Sequence, residues 1–271
     1  MSHRNRLLFF AIAWLIVLMP FLSWHSTWFG APLSDSELTK YLHDESKPRH
    51  IQHALVQIGE RMYRYKMQKV QQWYPDLVRL SSHPVEEIRT TDAWVMGQDT
   101  SRPEFREALV RLLQDPSENV RNNAALSLVR FGNASGHAQI VAMLHPSVVT
   151  ALHSGTISAV AKSGDPIRNG TMLIRLNDGK SSAELRSPIT GTVQEIRVKK
   201  GDQVQAGAEV AVVAPGTDQL WEALRALVVI GTPDDLPSVR RYQRDVPNVA
   251  DRVRQQAVET EKAILAKAAK Q

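Results

Sequence analysis

Histidines are the residues of this chain best suited to metal chemistry, because the neutral imidazole ring is a common zinc ligand. The chain has nine of them, but no HExxH motif. His50 and His53 lie three residues apart on a predicted helix, without a third candidate ligand nearby in the sequence. A surface pair is the better interpretation, and the sequence predicts no metal site.

Covalent and nucleotide chemistry also lack a motif. The chain has no cysteine, which excludes disulfides, thiolate nucleophiles and cysteine-bound metal clusters. Neither the GxSxG turn of a serine nucleophile nor the GxxxxGKS/T loop that holds phosphates occurs. We therefore predict no catalytic residue and expect that the protein is not an enzyme.

The charge of the chain does not favour nucleic acid as a partner. Its 271 residues carry a formal net charge of +5, from 33 Lys and Arg and 28 Asp and Glu. Two positive charges, Arg4 and Arg6, precede an apolar segment, and the other acidic and basic residues are interspersed. Binding to a phosphate backbone needs a concentrated basic surface. We therefore predict no nucleic-acid binding.

Residues 7–24 form a stretch without a charged side chain. As a helix, eighteen residues at ~1.5 Å each span about 27 Å, close to the hydrocarbon thickness of a bilayer. This predicts a transmembrane anchor, with residues 1–6 as a cytoplasmic tail, because Arg4 and Arg6 precede the stretch and the next basic residue is Lys40. The bulk of this single-pass membrane protein is then predicted to be periplasmic or otherwise extracytoplasmic. A cleaved signal peptide is the alternative.

From Ser34 onward the pattern indicates amphipathic helices separated by short polar breaks. Ser34 and Glu37 have the spacing of a capping box. Two later stretches can be overlaid: Leu80, Pro84, Arg89 and Ala93 in the first correspond to Leu112, Pro116, Arg121 and Ala125 in the second. The two arginines lie thirty-two residues apart, and we interpret the stretches as an internal repeat.

Each repeat predicts a pair of helices. Proline ends the first helix because it lacks an N–H and restricts the residue before it, and a second helix starts a few residues later. The spacing and the DPxxxVRxxAA signature from Asp115 to Ala125 resemble HEAT repeats of the short bacterial kind. The resemblance implies an α-solenoid over residues 25–147 that resumes over residues 216–271. A plain helical bundle is the alternative.

Residues 148–215 have a different pattern, rich in glycine and β-branched residues. This segment repeats internally: Gly164-Asp165 is followed by Gly170, and Gly201-Asp202 by Gly207 at the same spacing. Alternating apolar residues precede each Gly-Asp pair, so each half predicts a strand, a tight turn and another strand. We expect the two halves to clasp into one compact β unit.

The doubled Gly-Asp pattern, with Ser187-Pro188 and Gly191 in the second half, resembles the biotinyl/lipoyl-like barrel-sandwich domain. Membrane fusion (adaptor) proteins of secretion systems and efflux pumps also use this domain. In its carrier forms, a lysine in the hairpin between the halves takes lipoate or biotin, and Lys180 occupies that place here. The usual residues around the modified lysine are missing, since Gly179 precedes Lys180. The resemblance thus implies Lys180 as the candidate cofactor-binding residue, but an unmodified lysine without cofactor is the preferred interpretation.

The order of the blocks predicts an insertion. His145-Pro146-Ser147 matches Asp115-Pro116-Ser117, yet the second helix of that pair follows only after the β segment, from Asp218. We therefore expect the β unit to lie in the turn of a helix pair. The predicted fold class is an α+β multidomain protein with an N-terminal transmembrane helix, an α-solenoid of HEAT-like helix pairs and an inserted all-β barrel-sandwich (lipoyl-like) domain.

These features predict a non-catalytic, membrane-anchored scaffold or adaptor that binds other proteins in a bacterial cell envelope, with the membrane itself contacted through residues 7–24. Two alternatives remain. One is a lipoyl- or biotin-type carrier subunit of a membrane-associated enzyme complex that uses Lys180. The other is an accessory subunit of an envelope transporter.

Overall fold

The computed structural model describes residues 32–65, 69–177, 181–244 and 249–270, together with the single residues 14 and 246. The chain forms two compact units, Met1–Val95 and Met96–Gln271. The helices are α1 (Asp35–Leu42), α2 (Pro48–Tyr65), α3 (Tyr74–Leu80), α4 (Glu86–Met96), α5 (Pro103–Leu112), α6 (Glu118–Arg130), α7 (His137–Ala142), α8 (Thr217–Ile230), α9 (Leu236–Arg240) and α10 (Asp251–Ala268). The strands are β1 (Ser147–Thr150), β2 (Gly155–Val160), β3 (Pro166–Ile167), β4 (Met172–Asn177), β5 (Ser182–Arg186), β6 (Gly191–Ile196), β7 (Gln203–Val204) and β8 (Glu209–Pro215).

The prediction of an N-terminal transmembrane helix is wrong. Among the described helices none is long and apolar enough to cross a bilayer. The longest of these, α2 and α10, have eighteen residues each, but charged side chains interrupt both. Residues 7–24 lie outside the described residues except for Trp14. The predicted fold class therefore loses its membrane element, and the predicted single-pass localisation is corrected with it.

In the first unit, the predicted capping box at the start of α1 is confirmed. The Glu37 amide donates to Ser34 Oγ over 3.3 Å, and the Ser34 amide donates to Glu37 Oε2 over 2.8 Å. These bonds satisfy amides that the first turn of a helix leaves free. Leu38 and Leu42 on the opposite face are fully buried, which fixes α1 on the core of this unit.

The two repeat arginines make the same contacts. Arg89 and Arg121 each donate from Nη1 to two carbonyl oxygens in the break before their own helix, five and six residues earlier. The distances are 2.7 and 3.1 Å from Arg89 to His83 and Pro84, and 2.8 and 3.0 Å from Arg121 to Asp115 and Pro116. Each arginine thus binds carbonyl groups of the break between the two helices of its own repeat.

One position breaks the similarity of the repeats. Asp92 is fully buried on α4, where the spacing of the second repeat has Ala124, which is also fully buried. Neither carboxyl oxygen of Asp92 has a hydrogen-bond partner among the described residues. Burial raises the pKa of Asp92 well above its ordinary value, although Arg79 lowers it slightly. The folded unit therefore disfavours the charged form of this carboxyl group, at a cost in stability.

We expect Asp92→Ala to raise the free energy of unfolding by about 1 to 2 kcal/mol at neutral pH, because it removes an unpaired buried carboxyl group. Since the folded-state pKa is raised, Asp92 disfavours folding increasingly as the pH rises from about 4, the ordinary aspartate value, toward the folded value. The advantage of the variant should therefore shrink in acid. Urea unfolding at two pH values tests this, with Glu87→Ala on the exposed side of α4 as control. A variant less stable than the parent at neutral pH would contradict the expectation.

The second unit has a helical core assembled from both sides of the strands. Its buried residues come from α6 and α7, which precede the strands, and from α8, α9 and α10, which follow them. We call these five helices the helical frame. Leu224 and Leu227 of α8 and Leu144 just after α7 are fully buried in this core. The segments before and after the strands therefore stabilise each other directly.

The strands β1–β8, residues 147–215, form what we call the β module. It consists of two four-stranded antiparallel sheets, in the orders β1-β8-β6-β3 and β5-β4-β2-β7. Side chains from both sheets fill a core of its own, which includes Leu173, Ile174, Val210 and Val213. The module thus has its own hydrophobic core, separate from that of the helical frame.

The two halves of the β module interlock through their Gly-Asp turns. The Gly164 amide donates to Val193 O of the second half, and the Gly201 amide donates to Ile157 O of the first half, both over 2.8 Å. Gly164 and Gly201 have φ values of +90° and +97°, a region that favours glycine. The turn of each half therefore donates a hydrogen bond to a strand of the other half. The two halves are related by an approximate twofold symmetry.

Candidate functional site

The candidate lysine belongs to the connection between β4 and β5. These strands pair from Met172 opposite Arg186 to Asn177 opposite Ser182. Lys180 lies outside the described residues, as do the two residues before it. The structure describes the residues on either side of this connection, namely the last residue pair of the β4–β5 ladder and the neighbouring strands.

The last residue pair before this connection, Asn177 and Ser182, lies at the opposite end of the strands from the links to the helical frame, as the strand directions show. Strand β1 leads away from α7, and a short link, Leu152–Ser154, then carries the chain to β2 in the other sheet. At the start of β2, Thr156 pairs with Asn177, while a Cβ on Gly155 would lie 2.7 Å from Asn177 O. We call Asn177 and Ser182 the hairpin end.

The twofold symmetry explains this placement. The amides of Ala151 and Ser187 donate to equivalent carbonyl groups, Ala208 O and Thr171 O, each over 2.8 Å. The pair β4–β5 therefore corresponds to the pair β8–β1. A short connection joins β4 to β5, whereas β8 and β1 continue into α8 and come from α7. The connection to the helical frame replaces a hairpin at one end of the module, and the true hairpin lies at the other.

Contacts from the frame hold the incoming chain between α7 and β1. Gln219 Nε2 donates to Met143 O over 3.1 Å, Tyr242 Oη donates to Leu144 O, His145 Nε2 lies 3.1 Å from Ser238 Oγ, and Ser147 Oγ donates to Glu118 Oε2. Met143, Leu144 and Ser147 are also buried. The incoming connection is therefore part of the packed structure and not a loose linker.

The outgoing connection is a single residue. Gly216 lies between the last residue of β8 and the first of α8. Its amide donates to Thr190 O in the β module over 3.0 Å, and its carbonyl oxygen accepts from the Leu220 amide of α8 over 3.1 Å. Both chain connections are thus short and bonded, which restrains rotation of the β module against the helical frame.

Charged residues cover the outer face of the hairpin strands. Glu184 of β5 accepts from Arg175 Nη2 over 2.9 Å and also bonds Arg186. The hydrogen bond from Arg175 and the charges of both arginines lower the pKa of the Glu184 carboxyl. Arg175 and Arg186 are largely exposed and share this single carboxylate among the described contacts, so the face has a small positive excess.

A serine and a histidine meet at the incoming connection, but their geometry does not activate a nucleophile. Arg241 Nη1 lies 3.4 Å from His145 Nδ1, and a guanidinium group can only donate. Nδ1 is therefore the accepting nitrogen, so Nε2 carries the hydrogen and donates to Ser238 Oγ. Burial, and then the charge of Arg241, lower the pKa of His145. A base for Ser238 would need an accepting Nε2.

The histidine pair that suggested metal chemistry has other partners in the first unit. His50 Nδ1 bonds Asp44 Oδ2 over 2.7 Å, and its ring stacks on Tyr41 with centroids 4.1 Å apart. His53 Nε2 lies 2.9 Å from Gln57 Nε2. Within the described ranges, no group of three or more His, Asp or Glu side chains is placed to hold a metal ion.

Two family models match parts of the chain. The model for HEAT repeats matches residues 74–152, and the model described as "Biotin-requiring enzyme", the biotin/lipoyl family, matches residues 141–213. These matches confirm the predicted HEAT repeats and the predicted biotin/lipoyl domain. The finer resemblance to membrane fusion proteins stays a prediction.

Curated relatives are similar to parts of the chain. The chain is 34% identical over 62 residues to the dihydrolipoyllysine-residue acetyltransferase component of the pyruvate dehydrogenase complex of Pseudomonas aeruginosa. It is 31% identical over 67 residues to the component of the same name from Acholeplasma laidlawii, and 26% identical over 98 residues to the dihydrolipoyllysine-residue acetyltransferase component of the acetoin cleaving system of Bacillus subtilis. The matches cover 23%, 24% and 36% of this chain, in the order given, but only 11%, 12% and 24% of the relatives.

Among solved structures, the chain is similar to the urea carboxylase of Kluyveromyces lactis, with 28% identity and a TM-score of 0.25. That match covers 26% of this chain and 6% of the carboxylase. A single-chain, multi-domain long-chain acyl-CoA carboxylase matches with 22% identity and a TM-score of 0.26, over 36% of this chain and 11% of the enzyme.

Proposed function

We propose that this chain is a non-catalytic scaffold in which the helical frame holds the β module in a fixed position and presents its hairpin end to a protein partner. The proposal includes the division of the chain into helical repeats over residues 25–147 and 216–271 and an inserted β domain over residues 148–215. The observation that carries it is the attachment of the module, since both chain connections are short and bonded to the frame.

Rigid attachment favours presentation over transport. A carrier domain that moves a group between active sites needs a flexible linker, and flexible linkers are rich in Gly, Ser or Pro and free of packing contacts. Here Leu144 in the incoming connection is fully buried. In the outgoing connection, Gly216 is hydrogen-bonded both to the β module and to α8. Any reach of the module beyond its fixed position would come from a side chain at the hairpin end.

A carrier function at Lys180 is the second candidate, and the lipoyl-bearing relatives favour it. In this version, a lysine between β4 and β5 bears lipoate or biotin at the far end of the module. The helical frame would then dock the module at a fixed distance from an enzyme. A fixed attachment suits one acceptor site better than several.

Intact mass spectrometry of the protein purified from its own host distinguishes the two candidates. The scaffold proposal expects the mass of the unmodified polypeptide in this region. A mass increase of one lipoyl or biotinyl group that disappears in Lys180→Arg would instead support the carrier. Recovery of the peptide containing Lys180 without modification, from cells whose other carrier proteins are fully modified, would exclude the carrier function.

The presentation of the hairpin end is tested by crosslinking in the native host. A photoreactive residue at Ser182, which is exposed at the hairpin end, should give a discrete adduct with a partner protein. The same residue at Val229, an exposed position on α8, serves as the matched control. Equal adducts from both positions, or none from Ser182 while Val229 reacts, would refute presentation by the hairpin end.

A further inference from the structure

The two edge strands related by the twofold symmetry of the β module differ sharply in their outer faces. Strands β1 and β5 each lie at the edge of a sheet, with a neighbour on one side only. Val148 pairs with Val212 in the first, and Glu184 pairs with Arg175 at the equivalent place in the second. One edge of the module therefore carries charge where the other is apolar.

The charged edge has the usual protection against pairing with another chain. Glu184 and Arg186 project from β5, and Pro188 follows two residues later. Charged side chains and proline at an edge strand oppose the addition of another strand. At the equivalent positions, β1 and its continuation have Val148, Thr150 and Leu152.

The face of β1 is unusually exposed for its composition. Val148 is 47% exposed and Leu152 is 70% exposed, with the exposed Thr150 between them. The alternation places these three side chains on the outer side of the strand. From Ser147 to Leu152 no residue is charged. The segment therefore combines an open edge with an apolar outer face, which marks an interaction site.

Polar groups at the two ends of this segment are complementary, with a carboxylate acceptor at one end and an imidazole ring at the other. Glu118 lies beside Ser147, to which its carboxylate is hydrogen-bonded, and His153 follows Leu152 at the other end. An antiparallel pairing of two copies would bring Glu118 of each copy near His153 of the other. The two helical frames would lie at opposite ends of the joined modules. Such a contact is self-complementary, as a twofold dimer requires.

We propose that β1 and its continuation to Leu152 are a docking surface for a second copy of this chain, which adds its own β1 in the antiparallel direction. Two β modules then form one continuous sheet across the dimer. Strand β1 is short and its pairing with β8 shifts between Val149 and Thr150, so the apolar side chains supply much of the contact.

Sedimentation of the full chain tests the proposal directly. We expect a dimer at the highest soluble concentration and a monomer for the double variant Val148→Lys with Leu152→Lys. Ser182→Lys, which adds one positive charge to the edge strand β5, should remain dimeric. Both positions of the double variant are exposed, and circular dichroism would verify that its fold is unchanged. A parent chain that sediments as a monomer, or a double variant that stays dimeric, would overturn the proposal.

Cysteine crosslinking tests the direction of the pairing, because the parent chain has no cysteine. In the antiparallel arrangement centred on Thr150, Val148 of one copy faces Leu152 of the other. A mixture of Val148→Cys and Leu152→Cys chains should therefore form the mixed disulfide faster than either variant joins to itself. Faster joining of each variant to itself would contradict this arrangement.

Discussion

Replacing Gly191 by alanine should destabilise the β module by more than about 3 kcal/mol. A Cβ at this position would collide with the carbonyl oxygen of Ala214, and would also approach Gly216 N to 3.1 Å. Both neighbours are backbone atoms. Gly191 pairs with Pro215 where β6 meets β8, just before the chain leaves for α8. The collision can be relieved only by opening this ladder.

Urea unfolding followed by near- and far-ultraviolet circular dichroism measures this loss. Thr192→Ala, next in the chain and exposed, should lie close to the parent. Gly155→Ala is the matched comparison, because Gly155 is the twofold equivalent of Gly191. Its Cβ would meet the Leu176 side chain at 2.6 Å and Asn177 O at 2.7 Å, so part of the strain can be relieved by a side chain. A Gly191→Ala chain as stable as the parent would disprove the close approach of β6 and β8.

Asp235→Ala should cost about 1 to 3 kcal/mol, because it removes a buried acceptor that takes three hydrogen bonds. The Asp235 carboxylate is 5% exposed. Its Oδ2 accepts from His137 Nε2 and the Thr232 amide, each over 2.8 Å, and from Thr232 Oγ1 over 3.2 Å. It thereby joins α7, which precedes the β module, to the start of α9, which follows it.

Asp234→Ala is the matched control for this second prediction, since Asp234 is the exposed neighbour. Differential scanning calorimetry of the full chain should show a lower unfolding temperature for Asp235→Ala and little change for Asp234→Ala. Asp235→Asn keeps one acceptor oxygen and should fall between the two. If all three variants have the same unfolding temperature as the parent, the contact between α7 and the turn before α9 does not stabilise the helical frame.

Local patterns predicted the parts of the fold that local physics controls. The capping box of Ser34, the matching arginines Arg89 and Arg121, and the Gly-Asp turns are all set by residues within about six positions of each other. A positive φ or a free helix terminus restricts the residue type strongly, and such restrictions are visible in the sequence.

Long-range pairings could not be predicted in the same way. Asp235 finds His137 ninety-eight positions earlier, and Tyr242 finds Leu144 at the same separation. No spacing rule connects such residues, because only the folded module brings its two chain ends together. The apolar stretch at residues 7–24 shows the opposite failure: hydropathy alone predicted a membrane helix, and no described helix supports it.

The position of the candidate site could be predicted from the sequence, but the attachment of the β module to the helical frame could not. The doubled turn pattern indicated where the hairpin between the halves would lie, and β4 and β5 are found on either side of it. The sequence did not reveal that Gly216 and the buried Leu144 hold the module on the frame. That Lys180 stays unmodified remains a prediction.

The adjacency of β1 and β8 also has a consequence for the order of folding. Residues 143–216 separate α7 from α8, and the frame can close only when this long loop brings its ends together. Closing such a flexible loop costs about 2 to 3 kcal/mol more than closing a loop of a few residues. When the β module folds, the pairing of Ser147 with Val213 already holds the two ends of this loop together, so the helices need not supply the free energy of closing it. We therefore expect the module to fold first and to act as the template on which the helical core assembles, although the helices begin earlier in the chain.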